Sequence, residues 1–295
     1  MQDTKVSSSV SVLAIFMTIL APIVWSTGGV AIRLLDLAAW DILFWRSFFM
    51  LIPIIFWLFI RKGPKKTINE FSKNLIHGLP VSIFICLSLC FYVLSMKKTS
   101  AAASLLIQGT APFFILILGR IYLKEHISKK TSFALLGIVA GLLFIFIPSL
   151  SSTKMHGNFF GLAKAFAFAL SAISIRKLKQ IDMIPAIGLA TILTLIVSAF
   201  FAQDLTLNLQ DLLILIFMGV FQTGLGFIIF VSWSGKIPAS YTGIIVLLES
   251  VFGPIWVWIL LGEIPGVYTL IGGGIIILSL IFNSLQIGSY KVNRR

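Results

Sequence analysis

Glu249 stands inside GIIVLLESVFGPIWVWILLGEIPG (243–266), a run that is otherwise almost entirely hydrocarbon. A charge at the centre of a membrane helix costs roughly 2.5–3.5 kcal/mol even on the lenient insertion scale, so a carboxylate there needs a partner or a polar cavity. Glu249, Phe252, Gly253 and Trp256 follow i, i+3, i+4, i+7 and share one helix face. Two cations also interrupt apolar runs, Arg46 in FWRSFF and Lys164 in LAKAFAF. Together the three fit a site that carries a proton or holds a polar substrate, with the cations pairing Glu249 or gripping a substrate carboxylate. The simpler readings are a neutral Glu249 hydrogen-bonded to a neighbouring helix and cations that snorkel to the headgroups. Snorkelling suits Lys164 better; for Arg46 the two readings are even.

Neutral groups surround these candidates. Gln108 and Thr110 in QGTAPFF could offer hydrogen bonds to a substrate, and Pro112 behind them should break the helix. Gly253 and Pro254 repeat that pattern beside Glu249, so either segment could open and turn free carbonyls to a cavity. Membrane helices also simply tolerate proline. Trp25 and Trp256 lie deep enough to line a cavity, although packing is the safer reading. Trp40, Trp57 and Trp233 read as interfacial anchors.

These residues need elements to hold them, and the composition says what kind. The 295 residues are 58% hydrophobic and 11% charged, with mean hydropathy +1.04. Even a large soluble domain leaves about a quarter of its unfolded-chain surface in water. So apolar a chain has to use lipid as its solvent, which makes it an all-α integral membrane protein. The net charge of +13 comes from short basic clusters between apolar runs, the pattern of cytoplasmic loops rather than of a nucleic-acid surface. No nucleic-acid partner is expected. Cys86 and Cys90 share a helix face and read as packing residues, and His77, His126 and His156 have no ligand spacing. Neither a metal nor a cofactor is expected.

About ten spans follow from hydropathy and breakers: Val10–Leu35, Ile42–Ile60, Leu75–Met96, Ser100–Leu123, Phe133–Ile147, Phe159–Ile175, Ile184–Phe201, Leu212–Trp233, Ala239–Leu261 and Tyr268–Leu285. RKGPKK reads as a linker, and the apolar run after Lys5 as a retained first span rather than a signal peptide. With both termini in the cytoplasm, only Arg33, Lys97, Lys98 and Lys154 of the loop cations fall outside. Glu249 then lies about 15 Å into its helix, close to the midplane.

The chain also repeats itself. KKTSAAASLLIQGTAPFFILILGRIYLKE (97–125) lies without a gap over GKIPASYTGIIVLLESVFGPIWVWILLGE (235–263), placing Lys98 on Lys236, Ala101 on Ala239 and Glu125 on Glu263. Glycine-bearing runs follow in both halves, Gly137 and Gly141 in one and Gly272–Gly274 in the other. A unit of five spans is odd, so the second copy enters the membrane reversed, and inverted repeats are a hallmark of secondary transporters.

LLESVFGPIWVWILLGE followed by TLIGGGIIILSL resembles the EamA branch of the drug/metabolite transporter superfamily. The resemblance covers nearly the whole chain as two EamA units, 10–148 and 157–286. It implies ten helices in two inverted five-helix bundles around a central cavity, moving small metabolites across a bacterial cytoplasmic (inner) membrane. The family's glutamate–proline pair is Glu249 and Ser250 here, with the proline delayed to Pro254. The leading expectation is a carrier of a small polar metabolite, amino-acid-like, working by alternating access with proton coupling or exchange. Its partners would be a small-molecule substrate and membrane lipid, with a homodimer left open. An intramembrane enzyme on a lipid-linked substrate is the rival class, but HExxH, GxSxG and paired carboxylates are all missing. A scaffold without transport needs neither a midplane carboxylate nor an inverted repeat.

Overall fold

A computed structural model of the chain describes residues 12–124, 129–150, 152–178, 182–237 and 239–287. Among the described residues the regular structure is entirely helical. The first half runs α1 (Val12–Ser26), α2 (Gly28–Leu34), α3 (Ala39–Lys62), α4 (Pro64–His77), α5 (Leu79–Lys98), α6 (Ala101–Gln108), α7 (Ala111–Tyr122) and α8 (Lys129–Phe146). The second runs α9 (Lys154–Leu178), α10 (Met183–Phe201), α11 (Leu209–Ile216), a π-helical stretch (Phe217–Leu225), α12 (Gly226–Ser234), α13 (Ala239–Leu261) and α14 (Val267–Ile287).

Seven helical stretches among the described residues are long and apolar enough to cross a membrane. Three of these are composite: α1 with α2, α6 with α7, and α11 with α12 through the π-helical stretch. Shorter apolar helices cover Ser132–Phe146, Ile245–Leu261 and Val267–Phe282. Large apolar side chains point outward along the long and the short helices alike, among them Phe133, Leu278 and Phe200, the last 82% exposed. Only lipid makes such a surface cheap. This is a multi-pass membrane protein.

Helix contacts fall into two matching sets. α5 of the first half packs on α9 of the second, and α12 of the second packs on α1 of the first. The contact of α3 with the π-helical stretch is matched by α5 with α10, and that of α6 and α7 with α9 by α13 with α1. The pairs α3–α10, α6–α13 and α8–α14 map onto themselves when the halves are exchanged. This is the contact pattern of two like units related by a pseudo-two-fold axis.

Lipid supplies no hydrophobic drive between helices, so close approach and hydrogen bonds have to hold them together. A Cβ on Gly157 would meet the backbone of Lys98 and Thr99 at 2.5 Å, and Ser95 Oγ donates to the Gly157 carbonyl at 2.8 Å. Ser82 Oγ joins α5 to the Ala186 carbonyl of α10 at 3.0 Å.

One element departs from expectation. RKGPKK is not a linker but the last residues of α3, a capping glycine and the start of α4. Gly63, at φ 73°, ends α3 and Pro64 occupies the first turn of α4, where its missing N–H costs nothing. The helix sets Phe71 against the core and leaves Ile68, Leu75 and Ile76 exposed. Lys62 bonds Asp182 and approaches Glu70, tying α4 to the start of α10. At the opposite end of the bundle, Arg33 pairs with Glu263, Lys97 donates to the Leu35 carbonyl at 3.1 Å and the Asp41 carboxylate accepts from Gln203 N–H at 2.8 Å. The two ends are called the Lys62 end and the Arg33 end below.

Candidate functional site

Arg46 is the centre of the polar interior. It is buried on α3, where its Nε donates to Thr223 Oγ1 at 3.3 Å. Thr223 belongs to the π-helical stretch, and its hydroxyl donates in turn to the Met218 carbonyl five residues back. Gly219 and Gly224 let α3 come this close: a Cβ on Gly219 would sit 2.4 Å from Phe49 Cβ, and one on Gly224 2.4 Å from Pro53 Cγ. π-helical turns recur at functional sites.

The Arg46 guanidinium lies over the Tyr92 ring, 5.1 Å from its centroid, and Lys164 Nζ lies 6.0 Å from the same centroid. Lys164 is therefore not a snorkelling residue. Helix α9 begins at Lys154 rather than near Phe159, which puts Lys164 ten residues in, with Nζ also 5.7 Å from the Phe168 ring centroid. Glu249 is partly exposed on α13 and lies within electrostatic reach of both Arg46 and Lys164. Among the described residues no hydrogen bond or close ion pair ends on its carboxylate. Two cations that share the Tyr92 ring thus lie within electrostatic reach of one carboxylate.

The wall continues through the first helix. Gln222 Nε2 donates to the Trp25 carbonyl at 3.0 Å, and Trp256 Nε1 donates to Ser26 Oγ at 3.0 Å. Trp25 packs between Phe227 and Phe230, with ring centroids 5.0 and 5.2 Å away. Gly28 gives Tyr92 and Gln222 their places: a Cβ there would meet Gln222 Nε2 at 2.5 Å and Tyr92 Oη at 2.6 Å.

Among the described residues, four buried polar atoms of these candidates and their neighbours have no hydrogen-bond partner: Trp25 Nε1, Arg46 Nη1, Tyr92 Oη and Gln108 Oε1. An unpaired buried polar group costs about 1–3 kcal/mol, and fold stability gains nothing from keeping one.

Gln108 and Thr110 flank a break rather than a kink. α6 stops at Gln108, Thr110 Oγ1 donates to the Ile107 carbonyl at 2.6 Å, and Pro112 opens α7. Gln108 Nε2 donates to Ser104 Oγ at 3.3 Å. Across from the break, α13 runs unbroken through Gly253 and Pro254, unlike the opened helix drawn from the sequence. Ser250 Oγ sits where a Cβ on Gly109 would be, 2.5 Å away, and Leu105 packs where one on Gly253 would be. The two proline-bearing segments are thus pressed together, one broken and one continuous.

Tyr92, Ser26, Gln222 and Thr223 were not among the residues singled out from the sequence. FQTGLGF in the middle of an apolar run was the available signal for the last two. Cys86 and Cys90 are buried and free, in keeping with packing. Among the described residues no cluster of His, Cys, Asp and Glu could hold a metal ion. His126 and Glu125 lie outside the described residues.

The model of the EamA-like transporter family matches residues 12–147 and again 155–285. The chain belongs to the EamA-like transporter family. The two matched segments and the apolar helices together give a membrane protein with a two-repeat fold. An uncharacterized transporter of Methanothermobacter thermautotrophicus is 25% identical over 69% of this chain and 62% of its own length. The uncharacterized transporter YdfC of Bacillus subtilis is 23% identical over 67% of this chain and 66% of its own. The match thus spans less than two thirds of these two curated relatives. The pseudopaline exporter CntI of Pseudomonas aeruginosa is 24% identical over 83% of this chain and 86% of the exporter. A crystal structure 14% identical to this EamA-like transporter superposes with TM-score 0.67 over 94% of this chain and 97% of the other, which shows a shared fold. These relatives are named as transporters, in keeping with a function that is not enzymatic.

Proposed function

We propose that this transporter moves a small polar metabolite bearing a carboxylate through the Arg46–Lys164–Glu249 site by alternating access, across a bacterial cytoplasmic membrane. The carrying observation is that two cations and one carboxylate meet deep in an apolar bundle with no close ion pair among them. A substrate carboxylate completes the charge pattern at Arg46 and Lys164, and Glu249 receives a substrate amine or a proton. Trp25 and Trp256 wall the site, Gln108 and Thr110 offer neutral hydrogen bonds, and the break before Pro112 against Gly253–Pro254 gives one helix room to shift against its counterpart. In this reading the seven long stretches and three shorter apolar helices make ten crossings in two inverted bundles, both termini lie in the cytoplasm, and the Arg33 end faces outward. One relative's name as a pseudopaline exporter supports export of a small metabolite.

The test is untargeted profiling of metabolites inside and outside cells making wild type or Glu249→Gln at matched membrane abundance. A flux present in the wild type and lost in the variant is expected. Equal flux of one metabolite in both would remove Glu249 from the transport cycle.

A further inference from the structure

A second polar site lies well away from Arg46, at the Arg33 end. There a cavity of about 680 Å³ opens between the loops that follow α5, α8 and α13. Its wall carries four cations, Arg33, Lys97, Lys98 and Lys154, against a single carboxylate, Glu263. Two of the cations are already engaged, Lys97 by the Leu35 carbonyl and Arg33 by Glu263. Among the described residues, Lys98 and Lys154 meet no acid, and both are exposed. A concave surface with one sign of charge in excess focuses its field and concentrates counter-ions.

The way Glu263 is held shows what this wall accepts. Its Oε2 lies 3.2 Å from Arg33 Nε, and its Oε1 accepts the Ala101 N–H at 2.8 Å at the start of α6. A cation on one oxygen and a helix N-terminal amide on the other make a carboxylate seat. Arg33 Nη2 also donates to the Thr99 carbonyl, and Thr99 Oγ1 donates to Asn158 Oδ1 at 2.7 Å, so the seat is braced from two further segments. Its occupant is less firmly placed. Glu263 follows Gly262, whose φ of 67° ends α13, and stands in a non-helical loop. The Arg33 and Glu263 side chains remain 26% and 28% exposed, open to the cavity.

We infer that this cavity is a binding vestibule for small soluble organic anions, whose carboxylate displaces Glu263 from Arg33 and the Ala101 N–H. Lys98 and Lys154 hold the second charge of a dianion. The displacement has a structural consequence, because Arg33 and Ala101 belong to the first repeat and Glu263 to the second. An anion entering the vestibule unties the two halves at this end. The inference stands apart from the role of Glu249, since the vestibule binds whether or not that residue takes part in transport.

The test is calorimetric titration of succinate into the full chain in nanodiscs of zwitterionic lipid, with neutral succinamide as the control. Wild type is expected to bind succinate and not succinamide. Glu263→Gln should bind it about tenfold more tightly, because the tethered competitor has lost its charge. A Lys98→Gln/Lys154→Gln double variant, changed only at exposed side chains, should bind about tenfold more weakly. Succinate binding no tighter in Glu263→Gln, or unchanged in the double lysine variant, overturns the inference. So does equal binding of succinamide.

Discussion

Arg46 Nε and Thr223 Oγ1, 3.3 Å apart, join α3 of the first repeat to the π-helical stretch of the second. The bond fixes one edge of the guanidinium, the Tyr92 ring covers its face, and Nη1 is left unpartnered. That arrangement aims one N–H group at whatever occupies the site. A lysine keeps the charge but cannot bond Thr223, lie flat on Tyr92 and present a free donor at once. Arg46→Lys is therefore expected to lose about tenfold in flux of the metabolite carried by the wild type, a loss of about 1.4 kcal/mol in transition-state stabilisation. Thr223→Val, which leaves the cation in place, should lose less. Wild-type flux in Arg46→Lys would reduce Arg46 to a packing residue.

Gly28 permits Tyr92 and Gln222 to meet beside Trp25. A methyl there would lie 2.5 Å from one side chain's tip and 2.6 Å from the other's. Both tips are ends of flexible side chains, so the protein can yield at a cost of about 1–3 kcal/mol. Yielding breaks the Gln222 bond to the Trp25 carbonyl and moves Tyr92 off Arg46. Gly28→Ala should reach the membrane at near wild-type abundance, by immunoblot, while its flux falls several-fold.

The sequence made some of this legible and hid the rest for physical reasons. Glu249 and Arg46 are conspicuous because a charge in an apolar run is expensive and has to be explained. Tyr92, Ser26 and Gln222 are cheap in a membrane helix, so nothing in the chain sets them apart. Their importance arises only when α1, α5 and the π-helical stretch converge. Hydropathy sets Lys164 too near an end, because KMHGN is polar and the apolar run starts after it, whereas the helix starts at Lys154. The charges of α4 concealed a helix in the same way. The α6–α7 break is foreseeable from glycine, threonine and proline in sequence, whereas α13 carries Gly253 and Pro254 and stays continuous, with Leu105 packed on Gly253 and its own Ser250 packed on Gly109.

Asp204 gives a pH prediction outside the membrane-spanning helices. Thr206 donates both its N–H, at 2.8 Å, and its hydroxyl, at 2.7 Å, to Asp204 Oδ1. These bonds hold the carboxyl below the ordinary aspartate value. A depressed folded value means that the contribution is present above the unfolded-chain value and disappears as pH falls through the folded one. Thr206→Val removes the hydroxyl and should raise the Asp204 midpoint toward the ordinary value, measured by carbon NMR of labelled aspartate. An unmoved midpoint would assign the whole shift to the backbone amide.

Packing of α8 on α14 depends on backbones in contact. A Cβ on Gly141 would sit 2.6 Å from the Gly272 carbonyl oxygen, and one on Gly272 would sit 2.4 Å from the Gly141 carbonyl oxygen. Neither obstacle is a side chain that can turn away, so the helices themselves must part. Gly141→Leu should cost about 3 kcal/mol or more, at the upper end of what overpacking does. The site lies elsewhere in the bundle, so the damage should appear as lower thermal stability in detergent and reduced membrane abundance, with flux per molecule close to wild type. A fall in flux per molecule with stability intact would instead make the α8–α14 contact part of the moving machinery.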